Sequence, residues 1–249
     1  MQPVLNQLGW QAFPDATAWD ALPAHLRPAT SRGRLVQFVV PPADDGAGYE
    51  VRIAEHGLVA TRQDNWHDAF NALCWLAWPA SKAALNALHL RELSLQTGKQ
   101  RSRQRDLATL FDESGLVLAC ADPLLKAALM AHDWQTLFVA RAADWGRLVE
   151  PFVLGHALLE KGLAPFVGIV AKVMVVEVAP DWFTQPVADK LRQLDRHIAE
   201  QLTHGEQPRR EAMWPLPVLG IPGWWPLQDA AFYADQSHFR PRRPAVHPR

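Results

Sequence analysis

Between Asp64 and His89 the chain reads DNWHDAFNALCWLAWPASKAALNALH, two apolar helical repeats broken at Trp78 and Pro79, with Asn, His, Cys and Lys set into them. Such a stretch predicts a tight helical hairpin, with helices over about 66 to 78 and 80 to 95, because Pro ends one helix and is favoured at the first position of the next. Asn65 followed three residues later by Asp68 has the logic of a capping box, in which the Asn side chain takes an orphan amide and the carboxylate faces the positive helix end. His67, Asn71 and Cys74 then fall at i, i+4 and i+7, beside an apolar stripe of Trp66, Phe70, Leu73 and Ala77.

The second helix repeats the pattern with Lys82, Asn86 and His89. Counted outward from the Trp78 and Pro79 junction, Asn71 and Asn86 are equidistant, and His67 lies one residue further out than His89. Antiparallel packing with these faces together would build a ladder of polar groups across the interface. The other arrangement turns both stripes to water, as surface Lys, Asn and His commonly are.

The remaining sequence bounds the class. A chain of 249 residues, 49% hydrophobic and 20% charged, is long enough to bury a sizeable core. Its formal net charge of -1 supplies no global field for nucleic acid or an anionic membrane, so any such binding would be local. The two cysteines, Cys74 and Cys120, are far apart in sequence and form no Cys-x-x-Cys pair, which fits a reducing, cytoplasmic setting. MQPVLNQLGWQAFPDATAWD lacks the basic start and apolar core of a secretory signal. The longest apolar run, Phe166 to Val178, is too short for a bilayer helix and carries Lys172, so it reads as a buried strand and no membrane partner is expected.

The pattern predicts an α+β fold, mostly helical, with β-hairpins and long Pro- and Trp-rich loops. Residues 1–33 read as an arm with a short helix near Trp19, 34–226 as one domain and 227–249 as a tail, partly disordered. Strands are expected at Arg34 to Val40 and 168–178, a hairpin at 49–55 and 58–62 around His56 and Gly57, and a second where DLATLF and LVLACA flank DESG. PADDGAG reads as a loop. Helical patterns cover 123–132, 145–161 and the amphipathic VADKLRQLDRHIAEQL, which stops near Gly205.

His156 and Glu160 form a second constellation, one turn apart on an apolar helix, able to share a metal, to orient each other for proton transfer, or to form a plain buried pair. An enzyme reading takes His67, Asn71, His89 and Asp68 as catalytic candidates. It takes His67, His156 and Glu160 as ligands of a divalent metal that activates water for hydrolysis, with His89 and either Asp68 or Asp112 as further contributors. A specific variant makes residues 49–62 and the helix from Asn65 a ββα nuclease finger, with His56 as base beside Glu55 and His67 or Asn71 on the metal. Nucleic acid would then meet residues 98–105, GKQRSRQR, and the basic C-terminal tail. The competing reading is a non-catalytic binding or assembly domain that docks a partner through Pro215 to Pro226, with Trp224, Trp225, Lys82 and Asn86 as binding residues. Trp224 and Trp225 could equally seal the core from outside. No Gly-x-Ser-x-Gly elbow or phosphate-binding Gly loop occurs, and Ser114 is explained as a turn residue.

The runs TRxxNWHDxFNALxWLxxPxxKxALN, DLxTLFDESG, GHALLEK with PFVG, PLPVLGIPGWW and FRPRR occur here in that order. Together they resemble the bacterial family designated domain of unknown function 3025. The resemblance covers nearly all of the chain beyond the first 30 residues or so. It implies that the hairpin, the DESG segment and the WW loop belong to one domain, and it carries no catalytic roles to this sequence.

Overall fold

The computed structural model describes residues 14, 16–41, 48–96, 98, 100–204 and 213–242. Its centre is a mixed sheet built from β3 (Gly115–Cys120), β4 (Val149–Val153), β5 (Val170–Glu177) and β6 (Trp214–Pro217), in the order β4-β3-β5-β6. β3 runs antiparallel to β4 and parallel to β5, and β5 runs antiparallel to β6. β3 is buried along its whole length, as a central strand covered on both faces must be. Its alternate residues feed two cores. Val117 and Ala119 join Trp75, Trp78 and Phe111 on one side, while Leu116 and Leu118 join Leu129, Phe138 and Phe239 on the other. The fold class is α+β.

The first face carries the predicted hairpin, α3 (Trp66–Ala77) and α4 (Pro79–Ser94), together with α5 (Arg103–Ser114) and α8 (Val187–His204). α1 (Ala16–Asp20) and a small parallel pair, β1 (Gln37–Val39) with β2 (Leu58–Ala60), flank it, joined by α2 (Tyr49–His56). The second face carries α6 (Pro123–Ala131), a π-helical turn at Gln135–Ala140 and α9 (Ala230–Ala234). α7 (His156–Lys161) follows β4 and packs against α3 and α5.

Both expected hairpins are replaced by a helix followed by a strand. Residues 49–56 form α2 because Glu50, Ile53, Ala54 and Gly57 recur with helical period, and Ile53 and Ala54 are buried. Gly57, the expected hairpin turn, does have positive φ, +73°, but it stops this helix and leads into β2. A Cβ there would lie 2.2 Å from the Leu35 carbonyl oxygen. DLATLF lies in α5, which Ser102 caps by accepting from the Arg105 amide, and Leu107, Ala108 and Phe111 are its buried face. Gly115 lets α5 pass directly into β3, since a Cβ there would meet the Phe111 carbonyl oxygen at 2.2 Å. Within 145–161, the expected single helix, residues 149–153 form the edge strand β4, where Pro151 is tolerated, before α7 begins.

Trp19 and Leu22, from the expected arm, lie in the first core, and Tyr233 and Phe239, from the expected tail, lie in the second. Trp134 Nε1 also donates to the Arg240 carbonyl at 2.8 Å. Most of PADDGAG, residues 205–212 and the tail from 243 onward lie outside the described residues. Among the described residues no helix is long and apolar enough to cross a membrane.

The start of α4 is capped from another helix. Trp78 offers no side-chain cap, and the Asp195 carboxylate of α8 accepts from the amides of Ala80 (3.0 Å) and Ser81 (2.8 Å). Ser81 Oγ donates back to the Asp195 carbonyl. Replacing Asp195 by Ala would strand two amides in a buried place. We expect Asp195→Ala to lower unfolding free energy by about 2 kcal/mol or more in urea titrations; a loss below about 0.5 kcal/mol would show that water replaces the cap.

Candidate functional site

The capping box opens the site. Asn65 Oδ1 accepts from the Asp68 amide at 3.0 Å and starts α3 where expected. Both oxygens of Asp68 are taken by the Arg62 guanidinium, at 2.7 and 2.9 Å, and one also by the Arg62 amide. Burial alone would raise the Asp68 carboxyl, but these bonds hold it below its ordinary value. Asp68 is thus a held structural anion at the edge of the cavity.

Across the hairpin the two stripes do meet, at one rung. Lys82, 3% exposed, donates from Nζ to Asn71 Oδ1 at 2.8 Å and to the Asp112 carboxylate of α5. Its ammonium also lies 5.7 Å from the centre of the Trp75 ring. Asn71 passes the chain on, donating from Nδ2 to the Tyr49 hydroxyl at 3.0 Å. Asn86 turns to α2, where Nδ2 donates to Glu50 Oε2 (2.7 Å) and to the Glu50 carbonyl (2.9 Å). His89 Nε2 stands 4.0 Å from Glu50 Oε1.

The other end is built by α7. His67 Nδ1 lies 2.9 Å from Glu160 Oε2, and His67 Nε2 lies 3.0 Å from His156 Nε2. The rings of His67 and His156 meet edge to face, their centroids 4.5 Å apart. His156 Nδ1 is 3.8 Å from Asp112 Oδ2, beyond hydrogen-bond reach, and makes no well-formed side-chain hydrogen bond, while the Asp112 backbone also approaches the ring. The two sequence constellations therefore form one network, running Glu160, His67, His156, Asp112, Lys82, Asn71, Tyr49.

These groups surround a cavity of about 450 Å³ whose lining includes Tyr49, Glu50, His67, Asn71, His89 and His156. Lys82 sits behind that lining. Asn86 Oδ1, His89 Nδ1 and His156 Nδ1 are buried without hydrogen-bond partners. Unpaired buried polar atoms are costly, and two of these, His89 Nδ1 and His156 Nδ1, belong to residues that line the cavity.

The electrostatics follow from burial. Desolvation pushes the imidazoles of His89 and His156 down to about 4, against the pull of Asp112, and pushes the Glu50 carboxyl up to about 7. At Asp112, burial alone would raise the carboxyl, but Lys82 and His156 hold it below its ordinary value. Perturbed groups of this kind gather at functional sites. Cys74 is fully buried and its thiol is pushed up to about 12 by desolvation, so it is no nucleophile.

The expected metal ligands come together without converging. Glu160 approaches His67 on the ring nitrogen away from His156, so it braces the ring instead of adding a third donor beside the two Nε2 atoms. Among the described residues no group of three His, Cys, Asp or Glu side chains is placed to hold a metal ion. The ββα nuclease finger is not formed, because 49–56 is a helix; His56 is exposed at its end, and Glu55 is paired with Arg32. In the basic segment, Arg101 bonds to Asp106 and Thr109, and Arg105 to Gln96.

The Pro- and Trp-rich segment is largely internal. Leu216, Val218, Leu219 and Ile221 are buried, and Trp225 stacks with Phe232. Trp224, 40% exposed, flanks a separate apolar cavity of about 400 Å³ with Leu158, Leu163 and Leu219. Tyr49 and Glu50 were missed as site residues because the alternation of Val51 and Ile53 suggested a strand. The helical recurrence ending at Gly57 was the signal that could have found them.

The sequence matches the family described as Protein of unknown function (DUF3025) over residues 35–243, and the chain belongs to that family. No curated protein and no solved structure matches it.

The shifts fix a pH dependence of stability. His89 and His156 ordinarily titrate at 6.5, and their folded values are depressed, so their contribution is present above about 6.5 and is lost as pH falls towards 4. Glu50 is raised, so its contribution is present below its ordinary 4.5 and is lost as pH rises through about 7. Two histidines outweigh one carboxyl on the acid side, so stability should peak near pH 6.5, each proton contributing about 1.4 kcal/mol per pH unit. Urea unfolding between pH 4 and 8 checks this. His89→Gln should make the acid slope shallower, and a curve flat across the whole range would contradict the assignment.

Proposed function

We propose that this member of the DUF3025 family is an acid–base enzyme, a hydrolase that takes a small polar substrate into the cavity between α2, α3, α5 and α7 and uses His156 as general base. The observation that carries the reading is the place of His156 among the residues lining a polar cavity, bonded through Nε2 to His67, with its buried Nδ1 making no side-chain hydrogen bond.

The state of that nitrogen follows from its neighbours. The Glu160 carboxylate only accepts, so His67 donates from Nδ1 and keeps an unprotonated Nε2. That Nε2 accepts from His156 Nε2, which leaves the lone pair of neutral His156 on Nδ1. Glu160 and His67 are thereby positioning residues that fix which nitrogen of His156 is basic. In the reaction a turn of the His156 ring opens Nδ1, which is closed to solvent in this structure, to the cavity; Nδ1 then takes a proton from a water molecule, whose oxygen attacks the electrophilic centre of the substrate. The imidazolium formed is stabilised by Asp112, whose own charge is held by Lys82. Burial keeps His156 in the neutral, accepting form near pH 7 and also weakens it as a base, so the Asp112 charge is needed to support the imidazolium. Hydrolysis fits because water supplies the nucleophile and the site need only move protons.

A second placement of the protons favours a metal. With His156 protonated on Nδ1 towards Asp112, the two Nε2 lone pairs meet 3.0 Å apart, and carboxylate-backed imidazoles are the usual form of metal-bound histidine. Two protein donors are one fewer than catalytic zinc sites use, so the base reading is preferred.

The test is a panel of p-nitrophenyl and alkyl esters, amides and phosphomonoesters, with elemental analysis of untagged protein alongside. Wild-type protein is expected to turn over one class, and His156→Asn to lose a factor of about 10² to 10⁴ while remaining folded. Glu160→Gln should retain an intermediate rate. Full activity in folded His156→Asn, or inertness of the wild type towards every class, would overturn the reading. Near-stoichiometric metal that disappears in a folded His67→Ala, His156→Ala double variant would replace it with the metal-centred one.

A further inference from the structure

We infer that Glu50, at the start of α2, is the proton donor of the same site, giving its proton to the leaving group while His156 activates water. The inference rests on the hydrolase reading and adds the half of the proton traffic that a base alone leaves unserved.

The geometry is that of a carboxyl held so as to keep one oxygen available. Asn86 Nδ2 bonds both Glu50 Oε2 and the Glu50 carbonyl, which fixes the side chain against its own backbone. Oε1 has the His89 ring at 4.0 Å, beyond hydrogen-bond reach, so a proton on Oε1 is not committed to that neighbour. Glu50 lines the same cavity as His156 but from another wall. α2 packs on α4, whereas α7 packs on α3 and α5, so substrate between these walls would meet an acid and a base from different elements. Asn86 and His89 are themselves buried, 2% and 5% exposed, and neither uses its full bonding capacity.

The surroundings keep the proton in place. His89 and Lys82 face Glu50 from α4, and Arg105 and Asp112 from α5, while Tyr49, Arg62, His67, Asp68, Arg101, Glu113 and His156 are the other charged or titratable groups around the cavity. Burial dominates and raises the carboxyl, with Asp112 adding to the effect; the Asn86 bond, Lys82 and Arg105 oppose it without cancelling it. The result, about 7, is where a general acid works well near neutral pH. The Asn86 amide, which would otherwise favour the carboxylate, orients the group.

The balance closes. The Oε1 proton passes to the leaving oxygen or nitrogen as its bond to the substrate breaks, the water oxygen forms the new bond, and His156 holds the water's proton. Release of that proton to solvent and uptake of one by Glu50 restore the site, with one water consumed. Base and acid are both in their working states between about pH 4 and 7, so activity should be bell-shaped with limbs at those values.

The experiment uses the full chain. Glu50 is followed by ¹³C carboxyl NMR in protein labelled at glutamate, assigned by difference from Glu50→Gln, with Glu50→Asp in reserve should the first fail to fold. Kinetics compare ethyl butyrate with p-nitrophenyl butyrate, whose leaving group needs no protonation. The expected result is titration of Glu50 near 7, loss of the alkaline limb in Glu50→Gln, and a fall of 50-fold or more on the ethyl ester against less than 5-fold on the nitrophenyl ester. Titration near 4.5, or equal falls on both esters, with an active wild type overturns the donor role and leaves His156 as base. A wild type inert towards both esters and the whole panel overturns the hydrolase reading and the donor role with it.

Discussion

Everything around the site depends on how one buried ammonium is satisfied. Lys82 lies inside the hairpin interface, and a charge there is tolerable only if paired and fully hydrogen-bonded. Asp112 supplies the opposite charge and Asn71 a neutral acceptor, so α3, α4 and α5 are drawn to one point. Removing one partner of a buried pair typically costs about 3–5 kcal/mol, because the other charge is left stranded. The same Asp112 then faces His156 at 3.8 Å, so the anion that neutralises Lys82 also sets the field at the end of the imidazole chain. The fold is held here by a polar cluster that apolar residues could have replaced, which is the arrangement expected where specificity of placement matters more than stability.

From that anchor the site divides into two halves with different tasks. The half made by α3 and α7 is a line of rings in which Glu160, His67 and His156 follow one another at 2.9 and 3.0 Å. The half made by α2 and α4 is a carboxyl that Asn86 holds and burial raises. Two titratable groups driven in opposite directions by one cavity are the usual sign of paired acid and base roles. His67 is the most exposed ring of the line, its side chain 37% exposed, and so forms its outer end, with the bare nitrogen of His156 at the inner one.

The hairpin, its cap and both polar stripes were legible because helix periodicity and capping are local signals. Asn65, Pro79 and the i, i+4, i+7 spacing of Lys82, Asn86 and His89 act within a few residues of one another. Whether the stripes faced each other was not legible, since it turns on Asp112, an element away, and on the cap that Asp195 brings to α4 from residues far along the chain. The approach of His156 to His67 spans 89 positions and left no local trace. The segment at 49–56 misled for a different reason. β-Branched residues at alternate positions imitate a strand, and tertiary packing of Ile53 and Ala54 decided for the helix. Gly57 was correctly marked for positive φ, but a left-handed glycine serves a helix stop as well as a hairpin.

If Glu160 and His67 set the tautomer of His156, long-range ¹H–¹⁵N correlation of the histidine rings reads it out. Near pH 7 His67 should carry its proton on Nδ1 and His156 on Nε2, with the ¹⁵N signal of His156 Nδ1 in the range of an unprotonated ring nitrogen. His156 protonated on Nδ1, or both rings averaging freely between tautomers, would contradict it.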